Sequence, residues 1–180
     1  AVFAESSGGN LAACLIQARL AAAEPLPSCL FLSSPWLDLS CEGGSFLVNE
    51  AYDLMMRKDR MVGIAQAYVA GACATSDPRC SPLNAPRGGS PSLFAFPPTL
   101  IHVCQNELLL DDAHNLREYA TAAGADVEVK EFDQVLHGWH TYFPVMPMAE
   151  QALEEACGFL RRHLSLTTPR AGLGALEEED

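Results

Sequence analysis

The chain has 180 residues, 49% of them apolar, which is enough to bury a core as one domain or part of one and excludes a disordered protein. Its formal net charge of -12, from 23 acidic against 11 basic side chains, sets a field that repels nucleic acid and anionic membrane, so neither is expected as a partner. No apolar run approaches the roughly 18 residues that span a bilayer, and the N-terminus lacks the basic region of a signal peptide.

The opening run Ala1-Val2-Phe3-Ala4-Glu5-Ser6-Ser7-Gly8-Gly9-Asn10 reads as the end of a strand, a tight turn and the start of a helix. A serine at the apex of such a turn needs nearly side-chain-free neighbours two residues before and after it, and Ala4 and Gly8 hold those places around Ser6. The strand begins abruptly, so the chain reads as the C-terminal portion of something larger. A helix follows over residues 9 to 23, with Leu11, Cys14, Leu15, Ala18 and Ala22 at helical spacing and Pro25 and Pro27 as its stop. Residues 28 to 33 are an apolar run fitting an interior parallel strand, which leads into Pro35-Trp36-Leu37-Asp38. Residues 39 to 58, with Gly43-Gly44 and mixed polarity, read as an excursion outside the sheet. A helix capped by Asp59 is expected to residue 71, with Met61, Ile64, Ala65 and Tyr68 along one face, and Met55, Met56 and Met61 are expected in the core.

Residues 72 to 98 carry six prolines and two glycines and read as loop. Regular alternation then resumes: a buried strand at 99 to 104, a helix at 111 to 123 stopped by Gly124, a strand at 127 to 132 and a closing helix at 147 to 163. Strand and helix in alternation imply an α/β domain over residues 1 to 164, a parallel sheet with helices on both faces. Residues 165 to 180, ending in Glu177-Glu178-Glu179-Asp180, read as a flexible acidic tail. Seven cysteines, odd in number and without a CxxC pair suited to zinc, favour a cytoplasmic protein with free thiols at Cys14, Cys29 and Cys104. The Cys73 and Cys80 spacing leaves a loop bridge open.

In an open parallel sheet, catalytic groups collect at the C-terminal ends of the strands. Ser6, Glu107 and His137 fall there in the chain order nucleophile, acid, base, and a serine hydroxyl needs both partners. An imidazole takes its proton, and a carboxylate fixes the imidazole tautomer. His140 competes with His137 as base, although Gly138 suits a loop that brings a ring close to a serine. Asp111 and Asp112 compete with Glu107 as acid, although helix N-terminal charge is their simpler role. His102, inside a strand, reads as a satisfied core residue, and His114 and His163 as exposed helix positions. Trp36 and Trp139 are candidate walls of a substrate pocket or, equally, buried packing.

The run Glu5-Ser6-Ser7-Gly8-Gly9-Asn10-Leu11-Ala12 resembles the nucleophile elbow of the hormone-sensitive-lipase family of α/β-hydrolases. The resemblance continues through Ser34-Pro35-Trp36-Leu37-Asp38-Leu39, Ser81-Pro82-Leu83, Pro97-Pro98-Thr99-Leu100-Ile101, Glu107-Leu108-Leu109-Leu110-Asp111-Asp112 and Val135-Leu136-His137-Gly138-Trp139, and so covers residues 1 to 164. It implies an α/β-hydrolase fold, truncated before the nucleophile elbow, and a carboxylesterase acting on small, short-chain or aryl esters without metal or organic cofactor. Ser6 would be the nucleophile, His137 the general base, Glu107 or Asp111 the acid with Glu107 at the motif's head, and the Ser7 N–H an oxyanion donor. Three departures stand out. Ala4 replaces a usual glycine, Glu107 a usual aspartate, and the family's His-Gly-Gly-Gly oxyanion loop has no counterpart in the sequence. The last supports the alternative of a truncated inactive member; a second alternative is a non-catalytic small-molecule receptor of the same fold, but such receptors lack the histidine, so His137 favours the enzyme. Oligomeric state is not legible.

Overall fold

Four strands, β1 (Val2–Glu5), β2 (Leu30–Ser33), β3 (Thr99–Cys104) and β4 (Val127–Phe132), pair in parallel in the order β1-β2-β3-β4. This is a computed structural model, and it describes residues 1–90 and 92–164; the expected acidic tail lies outside the described residues. The helices are α1 (Ser7–Ala21), α2 (Ser45–Val48), α3 (Lys58–Val69), α4 (Leu110–Ala122) and α5 (Pro147–Leu164), with 3₁₀ turns at Pro82–Asn84 and Trp139–Tyr142. No helix among the described residues is long and apolar enough to cross a membrane.

Side-chain alternation along the strands decides which helix covers which face. Leu30, Leu32, Ile101 and Val103 point to the face covered by α1, through Ala12, Ala13 and Ile16, and by α4, through Ala113, Leu116 and Ala120. Right-handed crossovers between strands laid down in one direction put both connecting helices on that same side. Phe31 and Leu100 point the other way and meet Ala156 and Phe159 of α5. Fully burying one such side chain contributes roughly 1.5–3 kcal/mol, so these two layers fix the strand register.

Helix α1 begins two residues earlier than its spacing predicts, and it is rotated from the expected face. Leu11 and Leu15 are 60% and 51% exposed, while Ala12, Ala13, Ile16 and Leu20 are buried. Small residues on the inward face let the helix lie close to the sheet, and that proximity outweighs the larger side chains next to them. In α3 the expected Asp59 cap is replaced by Arg57 at the N-cap without a side-chain bond, and Asp59 sits inside the first turn. Gly124 stops α4 as expected, at φ 84, a left-handed conformation that costs glycine little. Residues 39 to 58 do lie outside the sheet. Their Phe46 and Met56 join Trp36, Met61, Leu108 and Leu109 in a second apolar cluster. Met55, expected in the core, is 49% exposed.

Candidate active site

Ser6 stands between β1 and α1 at φ 53 and ψ -123, a backbone conformation that strains any residue but glycine. Its N–H donates to Ser33 O at 3.0 Å, and its own carbonyl accepts the N–H of Gly9 at 2.9 Å and of Trp36 at 3.0 Å. Three backbone bonds therefore over-determine the strained turn. The close approach falls on Gly9, where a methyl group would lie 2.7 Å from Pro35 Cβ. A methyl at Gly8 would meet Ala4 Cβ at an ordinary 3.9 Å, so the small-residue requirement sits one position later than the sequence suggests. As the first residue of α1, Ser7 carries an N–H outside the helical ladder.

His137 stands on the loop after β4, with its Nε2 2.9 Å from Ser6 Oγ and its Nδ1 3.0 Å from Glu107 Oε2. The ring can approach because Gly138 has no side chain: at φ 66, an added Cβ would lie 3.0 Å from Glu5 Oε1. Glu107 is 1% exposed, and its second oxygen faces the Cys104 N–H at 3.4 Å. Burial, the largest single influence, works against the charged His137 ring. The hydrogen bond and charge of Glu107, with Glu5 and Asp53 behind it, outweigh burial and raise the pKa. Burial also raises the Glu5 carboxyl, against the pull of His137. With Nδ1–H donating to Glu107, the Nε2 lone pair faces the Ser6 hydroxyl.

The loop that carries Glu107 is held by side chains that sequence spacing did not single out. Asn49 Nδ2 donates to Gln105 O at 3.1 Å and Glu107 O at 2.9 Å, while Asp53 Oδ2 accepts the Leu108 N–H at 2.9 Å. Both belong to the excursion outside the sheet, and no periodicity marks them. Asp111 and Asp112 lie in the first turn of α4 as expected, yet neither points at His137. Asp111 accepts the Ser45 N–H at 2.8 Å. Asp112 is buried and accepts the N–H groups of Leu37 at 2.6 Å and Asp38 at 3.0 Å, and burial pushes its carboxyl up to about 8 against those donors.

His140 does not reach Ser6. Its Nδ1 is 2.9 Å from Ser33 Oγ and its Nε2 3.1 Å from His102 Nδ1, so it forms a separate buried chain behind the elbow. His102 is only half satisfied, contrary to expectation, because its Nε2 has no partner. An unpartnered lone pair costs less than an unpartnered N–H. That favours His102 donating from Nδ1 to His140, and His140 donating in turn to Ser33. His114 and His163, expected to be exposed, are half-buried, the first 3.2 Å from Glu131 and the second against the Phe159 ring.

The two tryptophans separate. Trp36 lines an apolar pocket of about 230 Å³ with Ser7, Leu39, Ile64, Ala65 and Tyr68. Trp139 is fully buried among Phe132, Val135 and α5, with its Nε1 unpartnered, so it is packing and not a pocket wall. A second pocket, of about 180 Å³, opens on the far side of His137 and Glu107, between Tyr52 and Val135. Among the described residues, no group of three or more His, Cys, Asp or Glu side chains is arranged to hold a metal ion.

A parallel sheet flanked by helices, with a serine on a strained strand-to-helix turn, defines the α/β-hydrolase fold. Residues 1–141 match the family described by that fold. An acetyl-hydrolase of Streptomyces hygroscopicus is 39% identical over 157 residues, which cover 87% of this chain and 50% of that protein. An esterase of Acinetobacter venetianus is 32% identical over 155 residues, covering 86% of this chain and 49% of that protein. The crystal structure of an esterase from the bacterial hormone-sensitive lipase family superposes with a TM-score of 0.83 at 34% identity, over 90% of this chain and 52% of that one. The chain belongs to the hormone-sensitive-lipase family of α/β-hydrolases, and it spans about half the length of the curated relatives it matches.

Proposed function

We propose that residues 1 to 164 carry the catalytic side chains of a serine carboxylic ester hydrolase, and that the hydrogen-bonded chain Ser6, His137, Glu107 is its triad. The observation that supports this reading is the pair of contacts at 2.9 and 3.0 Å that converge on one imidazole. Ser6 Oγ attacks the ester carbonyl carbon as its proton passes to His137 Nε2. Glu107 holds the ring in the required tautomer and balances the imidazolium charge. The tetrahedral oxyanion faces the Ser7 N–H; one such donor is worth about 10²- to 10³-fold in rate. Collapse breaks the bond to the alcohol oxygen, which takes the proton from His137 and leaves an acyl group on Ser6. Water then attacks the acyl carbon, gives its proton to His137, and the carboxylic acid departs as Ser6 Oγ is reprotonated.

The small apolar pocket beside Ser7, walled by Trp36, suits a short acyl chain or an aryl group. That size agrees with the acetyl-hydrolase and esterase names of the relatives. The test is hydrolysis of p-nitrophenyl acetate and butyrate, together with labelling of the chain by a fluorophosphonate. Turnover and label should both vanish in Ser6→Ala, and turnover in His137→Ala. Undiminished turnover in either variant would remove the assignment. Binding of esters with no turnover and no label would point instead to a receptor.

A further inference from the structure

Seven cysteines are free in this structure, and two of them are within reach of each other. Cys73 Sγ and Cys80 Sγ lie 3.9 Å apart across the turn that follows α3. Joining them to disulfide length needs a closure of about 2 Å. We propose that Cys73 and Cys80 form a redox-active dithiol, a site where a small-molecule disulfide of the glutathione class writes an internal cross-link.

The segment between them is already wound into the required shape. The N–H of Asp77 donates to Ala74 O at 3.0 Å, and those of Cys80 and Ser81 donate to Asp77 O at 2.9 and 2.8 Å. Ser81 Oγ donates to Thr75 O at 2.6 Å, closing the turn from its other side. Loop closure, usually the largest entropic cost of a new cross-link, is therefore met by bonds that exist before any sulfur chemistry. The two thiols also differ in access. Cys73 is half-buried, whereas Cys80 is buried, with its Sγ turned to backbone carbonyls of Ala74 and Asp77. Burial, helped by the Cys73 sulfur and by Asp77, keeps the Cys80 thiol protonated.

Roles follow from that asymmetry. Cys73, as thiolate, attacks one sulfur of the disulfide reagent, and its first thiolate leaves and takes up the proton that Cys73 lost. Cys80 then attacks Cys73 Sγ, its proton passing to the second departing thiolate. Two protein thiols are oxidised to one disulfide, and one reagent disulfide is reduced to two thiols. The cross-link bears on the elbow through short contacts. Cys80 O accepts the Asn10 side-chain N–H at 2.8 Å, Ser81 Oγ accepts the Leu39 N–H at 2.7 Å, and Gln17 donates to Pro82 O at 2.9 Å. Asn10 and Leu39 line the apolar pocket beside Ser7, so the bond fixes one wall of it from behind.

The experiment is oxidation of the full chain by oxidised glutathione, read by intact mass and by peptide mapping without reductant. The expected product has lost two hydrogens, carries a peptide linking Cys73 to Cys80, and melts on the order of 5 °C higher than the reduced chain. Dithiothreitol should reverse both changes. Cys73→Ser, which leaves the buried Cys80 in place, should fold, keep its melting temperature and show neither change. Glutathionyl adducts at the exposed Cys157 alone, with no internal link, would overturn the proposal. So would a link that forms equally between Cys14 and either partner, or a lower melting temperature on oxidation. None of these readouts depends on ester turnover, so failure here leaves the triad reading untouched.

Discussion

Two histidines three residues apart on one loop, His137 and His140, meet opposite environments. His137 sits between a buried carboxylate and a hydroxyl, and the carboxylate charge outweighs the cost of burial and raises its pKa. His140 sits between a hydroxyl and a second imidazole, with no opposing charge in contact, and burial pushes it down to about 4. Burial opposes the charged form of both rings, yet their chemistry differs. The presence of one carboxylate decides whether a buried imidazole can take a proton near neutral pH. In the proposed triad the first ring is the one that transfers the proton, while the second bridges β2, β3 and the loop that carries the first.

Removing each ring in turn separates these roles most sharply. His137→Ala should lower the hydrolysis of p-nitrophenyl butyrate by about 10⁴- to 10⁶-fold, the scale expected when a triad base is lost. His140→Ala should instead lower stability by about 2–4 kcal/mol, because it opens a cavity and strands Ser33 and His102 as unpartnered polar groups. Chemical denaturation and steady-state kinetics measure the two effects separately. If His140→Ala lost as much kcat as His137→Ala at an unchanged midpoint, the division between base and strut would fail.

The acid sharpens the same contrast one step further out. Glu107→Gln keeps the shape and removes the charge that lifts His137, so kcat should fall by about 10²- to 10⁴-fold. Asp111→Asn should leave kcat within about threefold, since Asp111 binds the Ser45 N–H and not the imidazole, and an amide oxygen still accepts there. Parallel kinetic traces for the two variants decide between the carboxylates, and an equal loss would return Asp111 to candidacy.

What the sequence made legible divides along a physical line. Strand and helix alternation, the turn at Ser6 and the order serine, acid, histidine depend on local pattern, and the residues named from them meet in space. The rotation of α1 escapes a pattern of apolar spacing because Ala12 and Ala13 carry little hydrophobic signal, although close backbone approach puts them innermost. For Trp36 and Trp139 the sequence leaves pocket wall and buried packing equally open, because indole chemistry alone does not separate them; the fold puts Trp139 in the packing under α5. No local pattern marks Asn49 and Asp53. They act through backbone groups 55 to 58 residues away, and only the folded excursion brings them to the Glu107 loop. A strand position predicts burial for His102, yet burial says nothing about whether its second ring nitrogen finds a partner, and Nε2 has none.

The smallest effect, and the most diagnostic, is the opposed pH dependence of the two rings. His137 must be neutral to accept the Ser6 proton, so kcat/KM should rise with pH through a value above about 6.5, the ordinary imidazole pKa. Because its folded pKa is raised, His137 adds stability that is fully present below about pH 6.5 and fades as pH climbs through the folded value. His102 and His140 run the other way. Burial, and for His102 the neighbouring His140 and Lys130 against Glu155, pushes them down to about 3 and about 4. The unfolded chain then binds protons that the folded chain refuses, and stability falls as pH drops from about 6.5 towards 4. Replacing His140 by Gln, which can still bond Ser33, should flatten that acid limb of the melting temperature while leaving the acid limb of kcat/KM where it was. A shift of the kinetic limb in that variant would mean that the strut sets the base's pKa, and that the two rings are one titrating unit.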